Sequence, residues 1–121
     1  MKQELEDLIR LLGELQKIDP EFPLQYAVCL CEITRAEGLS LTQLSATTGM
    51  PISTVSRIVG ALSKYRQNGK PYGLVKVTVS SQERRRKEIT LTAKGRMVMD
   101  NLTRMVGSFN VKRENTADNA T

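Results

Sequence analysis

Residues 41–62 read LTQLSATTGMPISTVSRIVGAL, and this stretch predicts two short helices joined by a tight turn. Thr42 is a suitable N-cap for the first helix, and Gly49 is a suitable residue to end it. Pro51 fits at the start of the second helix, whose apolar positions from Val55 onward fall on one face. The pattern is that of a helix-turn-helix, although another helical hairpin could share part of it.

Helical periodicity also predicts helices before and after this unit. Residues 3–18 carry leucine and isoleucine at helical spacing, and residues 24–35 are apolar enough to form a buried helix. Thr92 is placed to cap a last helix from residue 93 to about residue 106. Residues 110–121 are polar, and we expect them to form a disordered tail.

Between the helix-turn-helix and the last helix, alternating apolar and polar residues predict a β-hairpin with residues 80–87 at its tip. The side chains expected to face inward are Val75, Val77, Val79, Ile89 and Leu91.

The basic side chains are concentrated in one part of a chain whose formal net charge is +5. From Pro51 to Arg96 there are eleven Lys or Arg residues and two acidic ones, Glu83 and Glu88, which gives this segment a net charge of +9. A localised positive charge of this size is what a polyanion-binding surface requires.

The composition argues against an enzyme or a metal site. The chain has no histidine, and its two cysteines, Cys29 and Cys31, are two positions apart. On a helix their thiols would point to different faces, so we expect two buried apolar side chains rather than a disulfide or a metal site. We therefore predict no catalytic residues, no metal and no cofactor.

No stretch of the sequence is apolar enough to cross a membrane, and the N-terminus lacks the apolar core of a secretory signal. We therefore expect a cytoplasmic protein that has no contact with a membrane.

The predicted order of helix, helix, helix-turn-helix, hairpin and helix is that of a winged helix, and the sequence resembles the MarR family of bacterial transcription regulators. The resemblance is carried by residues 41–62 and by GLVKVTVSSQERRRKEITLTAKG, residues 73–95. An Asp-Arg-Arg motif marks the wing in that family, and Leu-Thr-x-x-Gly opens the next helix. Here Glu83-Arg84-Arg85 stands at the first motif, and residues 91–95 (LTAKG) match the second.

This resemblance covers residues 25–105 and implies a mainly α fold with a small β-hairpin, a winged helix-turn-helix. The sequence departs from the family in three places. Glu83 replaces the usual aspartate, the linker over residues 65–73 is longer than usual, and the chain ends soon after the last helix.

The resemblance also implies roles for individual residues. Residues 51–64 would form the recognition helix in the major groove of DNA, and the residues expected at its surface are Pro51, Ser53, Thr54, Ser56, Arg57 and Lys64. In the wing, Arg85 would enter the minor groove and Glu83 would orient it. Phosphate contacts would come from Arg84, Arg86 and Lys87. Support for the helix-turn-helix would come from Thr42, Gln43 and Gly49.

The same resemblance implies a single domain over residues 1–109, with dimerisation helices at both ends. The residues expected at the dimer interface are Leu5, Leu8, Ile9, Leu12, Leu15, Val98, Leu102 and Met105. The alternative, that the leucine stripe of residues 5–15 packs onto the protein's own core, stays open.

Together with the basic segment, these features predict a sequence-specific, homodimeric regulator of transcription. It would act as a repressor on a near-palindromic operator in double-stranded DNA and would be associated with the nucleoid when bound. Two alternatives stay open: a DNA-binding accessory protein of replication or of a mobile element, and a winged-helix protein–protein adaptor. A small-molecule effector is not favoured, since three Tyr and two Phe residues offer little aromatic lining for a pocket.

Overall fold

The computed structural model describes residues 1–64, 69–80, 82 and 86–120, with side chains as far as residue 109. Over these residues the chain forms five helices and a two-stranded antiparallel sheet, which confirms the predicted mainly α fold with a small β-hairpin. The elements are α1 (Lys2–Gln16), α2 (Leu24–Arg35), α3 (Leu41–Thr48), α4 (Ile52–Leu62), β1 (Val75–Val79), β2 (Lys87–Leu91) and α5 (Ala93–Ala120).

The core forms where α2, α3 and α4 pack together and β2 closes the cluster. Burial of apolar side chains is the main stabilising contribution here, at roughly 1.5–3 kcal/mol for each large aliphatic residue. The largest fully buried aliphatic side chains are Leu30, Ile33, Leu44, Ile58, Leu62, Leu74 and Ile89. Because α4 buries one face in this core, its opposite face is left to solvent.

The two strands of the hairpin are buried to different extents. β2 has β1 on one side and a single bridge from Leu39 to Ile89 on the other, so β2 is the inner strand. Ile89 and Leu91 are buried, as predicted, whereas Val77 and Val79 are exposed. The burial predicted for these two valines was wrong, although Val77 lies directly opposite the buried Ile89 and faces the same side of the sheet. β1 is the outer strand, and its residues beyond Val75 are exposed.

Helix α3 is capped by Ser40 rather than by the predicted Thr42. The Ser40 hydroxyl accepts a hydrogen bond from the Gln43 backbone N–H (3.2 Å), and the Gln43 side-chain oxygen accepts one from the Ser40 N–H (2.8 Å). This reciprocal pair is a capping box, which requires Gln three residues after the cap, and that spacing selects Ser40. Gly49 ends the helix in the left-handed conformation (φ 76°), as predicted.

Helix α5 begins where the sequence predicts but is longer than expected. The Thr92 hydroxyl accepts a hydrogen bond from the Gly95 N–H (3.0 Å), which confirms Thr92 as its cap. The helix continues to Ala120, past the expected end near residue 106 and through most of the segment expected to be a disordered tail. No proline follows position 71, so the sequence contains no residue that would force the helix to stop.

The two cysteines of α2 differ in exposure. Cys29 is buried, as predicted, whereas Cys31 is exposed, so the prediction of burial was wrong for Cys31. The cause is the helical geometry, which places residues two positions apart on different faces. Burial raises the pKa of the Cys29 thiol to about 11, with a smaller contribution from Glu32.

The hydroxyl of Thr90 in β2 is buried and has no hydrogen-bond partner among the described residues. Thr90→Val replaces that hydroxyl with a methyl group of similar shape and should raise the free energy of unfolding by about 1 kcal/mol. Urea denaturation of both proteins measures the difference. A less stable variant would contradict the prediction by showing that the hydroxyl has a partner.

Candidate nucleic-acid interface

The turn between α3 and α4 is held by short side-chain hydrogen bonds. The Ser45 hydroxyl donates to the Met50 carbonyl (2.6 Å). The Thr48 hydroxyl donates to the Leu44 carbonyl (2.8 Å) and accepts a hydrogen bond from the Met50 N–H (3.3 Å). With Gly49 in the left-handed region, these contacts fix the angle at which α4 leaves α3. This geometry is that of a helix-turn-helix.

The outward face of α4 is polar and carries most of the predicted recognition residues. The exposed residues from the start of the helix to just beyond its end are Pro51, Ile52, Ser53, Ser56, Arg57 and Lys64. Thr54, which was also predicted, is half-buried at the edge of this face. Ile52 was not predicted as a surface residue, yet half of its side chain is exposed (51%), which leaves an apolar group at the first position of α4.

An open cleft of about 1380 Å³ separates α4 from the hairpin. Its helical wall includes Ser53, Ser56 and Arg57, and its strand wall includes Lys76 and Lys87. Lys76 was not among the predicted site residues. The alternation of polar and apolar residues in β1 could have identified it, because it lies on the polar side of that pattern.

The described part of the wing contacts α3. The Arg86 guanidinium donates a hydrogen bond to the Gln43 side-chain oxygen (3.3 Å), which is the atom that also caps α3. Lys87 is exposed at the start of β2. The wing residues Glu83, Arg84 and Arg85 lie outside the described residues, so their expected roles stay predictions.

The segment after α4 returns to cap the end of that helix. The backbone N–H groups of residues 72, 73 and 74 donate to the carbonyl oxygens of Ala61 (3.1 Å), Ser63 (3.1 Å) and Leu62 (2.7 Å). The Tyr72 hydroxyl donates to a carboxylate oxygen of Asp19 (2.6 Å). The long linker noted in the sequence therefore ends in a segment that fixes the C-terminal end of α4.

The residues expected at a dimer interface fall into two groups. Leu102 is buried in its own chain, and Leu15 and Val98 pack against the same core. Met105 is half-buried. The other four residues form an exposed apolar surface, which we call the α1 patch: Leu5, Leu8, Ile9 and Leu12.

Helices α1 and α5 pack antiparallel. The Asn101 side chain donates to Glu14 (3.3 Å), and the Arg10 guanidinium lies 5.8 Å from the centre of the Phe109 ring. The α1 patch is therefore carried on a helix that is fixed to α5.

A second cavity, of about 500 Å³, lies between the end of α1, residues 70–74 and α5. Its lining residues include apolar ones, such as Val98, and three lysines, Lys17, Lys70 and Lys94. The Lys94 ammonium donates to the Tyr72 carbonyl (3.1 Å). The sequence analysis did not favour a ligand pocket and did not anticipate this cavity.

Within the part of the chain that the structure describes, no three His, Cys, Asp or Glu side chains converge to hold a metal ion. None of the helices described is both long and apolar enough to cross a membrane.

The family model of the IclR helix-turn-helix domain matches residues 33–66, which run from the end of α2 through α4. None of the curated proteins compared with the chain matches it significantly in sequence.

Solved structures resemble the chain over most of its length. S. aureus MepR in complex with DNA has a TM-score of 0.73 and 17% identity, over 98% of this chain and 91% of MepR. The transcriptional repressor CouR, bound to a 23-mer DNA duplex, has a TM-score of 0.61 and 21% identity, over 93% of this chain and 72% of CouR. MarR has a TM-score of 0.61 and 19% identity, over 97% of this chain and 84% of MarR. The predicted resemblance is therefore confirmed at the level of the fold, and the chain has the winged helix-turn-helix fold of these proteins.

Proposed function

We propose that the protein is a homodimeric regulator of transcription that binds double-stranded DNA sequence-specifically and acts as a repressor. The observation that carries this proposal is the outward face of α4, which exposes Ser53, Ser56 and Arg57 beside the lysines of the hairpin. This face lies within the segment of net charge +9. The structural likeness to DNA complexes, and to a protein described as a transcriptional repressor, supports the same function.

In this proposal α4 enters the major groove, whose width admits one helix. Arg57 donates two hydrogen bonds to a guanine edge, and the hydroxyls of Ser53, Thr54 and Ser56 read neighbouring bases. Exposed Ile52 offers an apolar contact to a thymine methyl group.

The cations around α4 contact phosphates, which fix the position of the protein and make its affinity dependent on salt. These residues are Lys64, Arg84, Arg86 and Lys87, together with Lys76 from β1. Arg85 enters the minor groove at the tip of the wing, and Glu83 orients it. Gln43 and Gly49 act indirectly, by capping the two ends of α3, and Thr42 stays a predicted support residue on the exposed side of that helix.

The α1 patch contacts a second copy of the chain. Its four side chains are between 44% and 67% exposed, which is an unusual apolar surface for a monomer. A twofold dimer would present two copies of α4 to half-sites about one helical turn apart, and a near-palindromic operator follows from that symmetry.

Selection of bound duplexes from a random pool, at a stated salt concentration, tests the proposal. We expect enrichment of an inverted repeat whose half-sites are separated by about 10 base pairs. Failure to enrich any sequence would contradict the proposal and would favour the adaptor alternative.

Arg57→Ala should weaken binding to the selected duplex roughly 10- to 100-fold and relax the preference at one position in each half-site, as expected for loss of a bidentate base contact. Fluorescence anisotropy with the selected duplex and its single-base variants measures both effects. Arg104→Ala, which removes an exposed arginine of α5, is the matched control and should bind like the wild type. Equal affinity of Arg57→Ala and the wild type would show that α4 does not read the bases through Arg57.

A further inference from the structure

The Glu37 carboxylate joins three elements of the fold. Glu37 lies in the turn after α2, and its Oε1 accepts a hydrogen bond from the Leu91 N–H at the end of β2 (2.9 Å). The Arg96 guanidinium, in the first turn of α5, donates to Oε1 (2.8 Å) and Oε2 (2.9 Å). A single side chain therefore connects the helix-turn-helix to both the hairpin and the last helix.

The local backbone explains why a carboxylate is needed at this position. Leu39 bridges Ile89 at the edge of β2, and Gly38, in the left-handed region (φ 95°), turns the chain away from the strand. Had the antiparallel pairing continued, Leu91 would have faced the backbone of Glu37. Because the chain turns away from the strand here, the Glu37 side chain, rather than its backbone carbonyl, accepts the hydrogen bond from the Leu91 N–H. Hydrogen bonds from Arg96 and from the Leu91 N–H lower the pKa of this carboxyl group.

The start of α5 is also attached to a different element. The Thr92 hydroxyl donates to the Gly73 carbonyl (2.7 Å), and Lys94 donates to the Tyr72 carbonyl (3.1 Å). Both acceptors belong to the segment that returns from α4. Further along the helix, Val98 and Leu102 pack against the core, and the contact between Glu37 and Arg96 adds a fixed point at the first turn of α5.

We infer that Glu37 and Arg96 are positioning residues that fix the direction in which α5 leaves the helix-turn-helix, and that they thereby set the separation of the two α4 helices in the dimer. This inference rests on the proposed function, because the separation matters only if two copies of α4 bind DNA together. Helix α5 packs on α1, which carries the proposed dimer surface, so a change in the direction of α5 moves each recognition helix relative to its partner.

A role in stability alone would be small for this pair. The Glu37 and Arg96 side chains are 29% and 55% exposed, and ion pairs so accessible to water contribute little to folding. The informative measurement is therefore the dependence of DNA affinity on the spacing of the half-sites.

The test uses the full chain and a series of duplexes in which one to four base pairs are added to or removed from the spacer of the selected operator. We expect the wild type to prefer one spacer strongly. Glu37→Gln and Arg96→Gln should reduce the ratio of affinities between the best spacer and its neighbours at least fivefold. The double variant should resemble each single variant, because the two residues act as one unit.

Both variants are chosen so that the protein still folds. Glu37→Gln keeps a side-chain oxygen for the Leu91 N–H, and Arg96→Gln leaves that hydrogen bond untouched. Arg35→Gln is the matched control, because it removes an exposed ion pair to Glu32 that lies within α2 alone. We expect it to keep the wild-type preference for spacing.

The outcomes separate this inference from the proposed function. If the wild type prefers one spacer and the Glu37 and Arg96 variants share its preference, the inference is wrong and the proposed function stands. An equal effect of Arg35→Gln would also overturn the inference, because a general loss of charge would then explain the result. If the wild type binds scrambled duplexes as tightly as the operator, both the proposed function and the inference fail.

Discussion

Gly95→Ala is expected to lower the free energy of unfolding by about 3 kcal/mol or more, at or above the upper end of the usual range for overpacked sites. A Cβ atom at position 95 would lie 1.9 Å from the carbonyl oxygen of Leu74 and 2.9 Å from its carbonyl carbon. Both are backbone atoms, so no side-chain rotation relieves the clash. Leu74 is itself fully buried, and moving it would disturb the core.

Gly107→Ala, in the same helix, is the control. Nothing lies within 4 Å of a Cβ atom at position 107, and alanine favours a helix over glycine by up to about 1 kcal/mol. We therefore expect the control to be slightly more stable than the wild type. Chemical denaturation of the two variants measures the contrast. Equal stability of Gly95→Ala and Gly107→Ala would contradict the close contact between α5 and residue 74.

Leu8→Glu combined with Ile9→Glu should dissociate the dimer and weaken operator binding roughly 100-fold or more, the scale on which loss of a linked second site acts. The two side chains are 49% and 67% exposed, so the substitutions should not disturb the core. Buried like charges at a twofold interface would oppose association. Sedimentation of the protein and anisotropy with the operator measure the two effects.

Leu24→Glu, at an exposed apolar residue of α2 outside the α1 patch, is the matched control (72% exposed). It should remain dimeric and bind the operator like the wild type. A dimeric Leu8→Glu/Ile9→Glu variant would show that the α1 patch is not the interface. If that dimeric variant also bound the operator like the wild type, the α1 patch would have no part in DNA binding.

Local patterns in the sequence are sufficient to predict the helix-turn-helix. Gly49 ends α3, and α2 has the predicted bounds of residues 24–35. The apolar residues Val55, Ile58, Val59 and Leu62 of α4 face the core. These features depend on residues that are close in the chain, and periodicity reports them directly. The outward polar face of α4 follows from the same periodicity.

Features that depend on distant contacts were not predictable in this way. The exposure of Val77 is set by which edge of the hairpin the helices cover, and alternation within a strand does not contain that information. Glu37 and Arg96 are 59 positions apart, and neither stands out by sequence pattern. The wrong prediction of the α3 cap has another cause, because Ser40 and Gln43 stand at the spacing of a capping box in the sequence. That spacing alone identifies Ser40 rather than Thr42 as the cap.

The central claim is that this winged helix-turn-helix binds double-stranded DNA by combining phosphate contacts with base recognition. Its most direct test is the salt dependence of affinity for the selected operator and for a scrambled duplex of equal length. We predict a plot of log affinity against log salt with a slope of roughly −5 or steeper for the operator, and an operator affinity roughly 1000-fold or more above that for the scrambled duplex. Equal affinities for the two duplexes, or an affinity that does not change with salt, would contradict the claim.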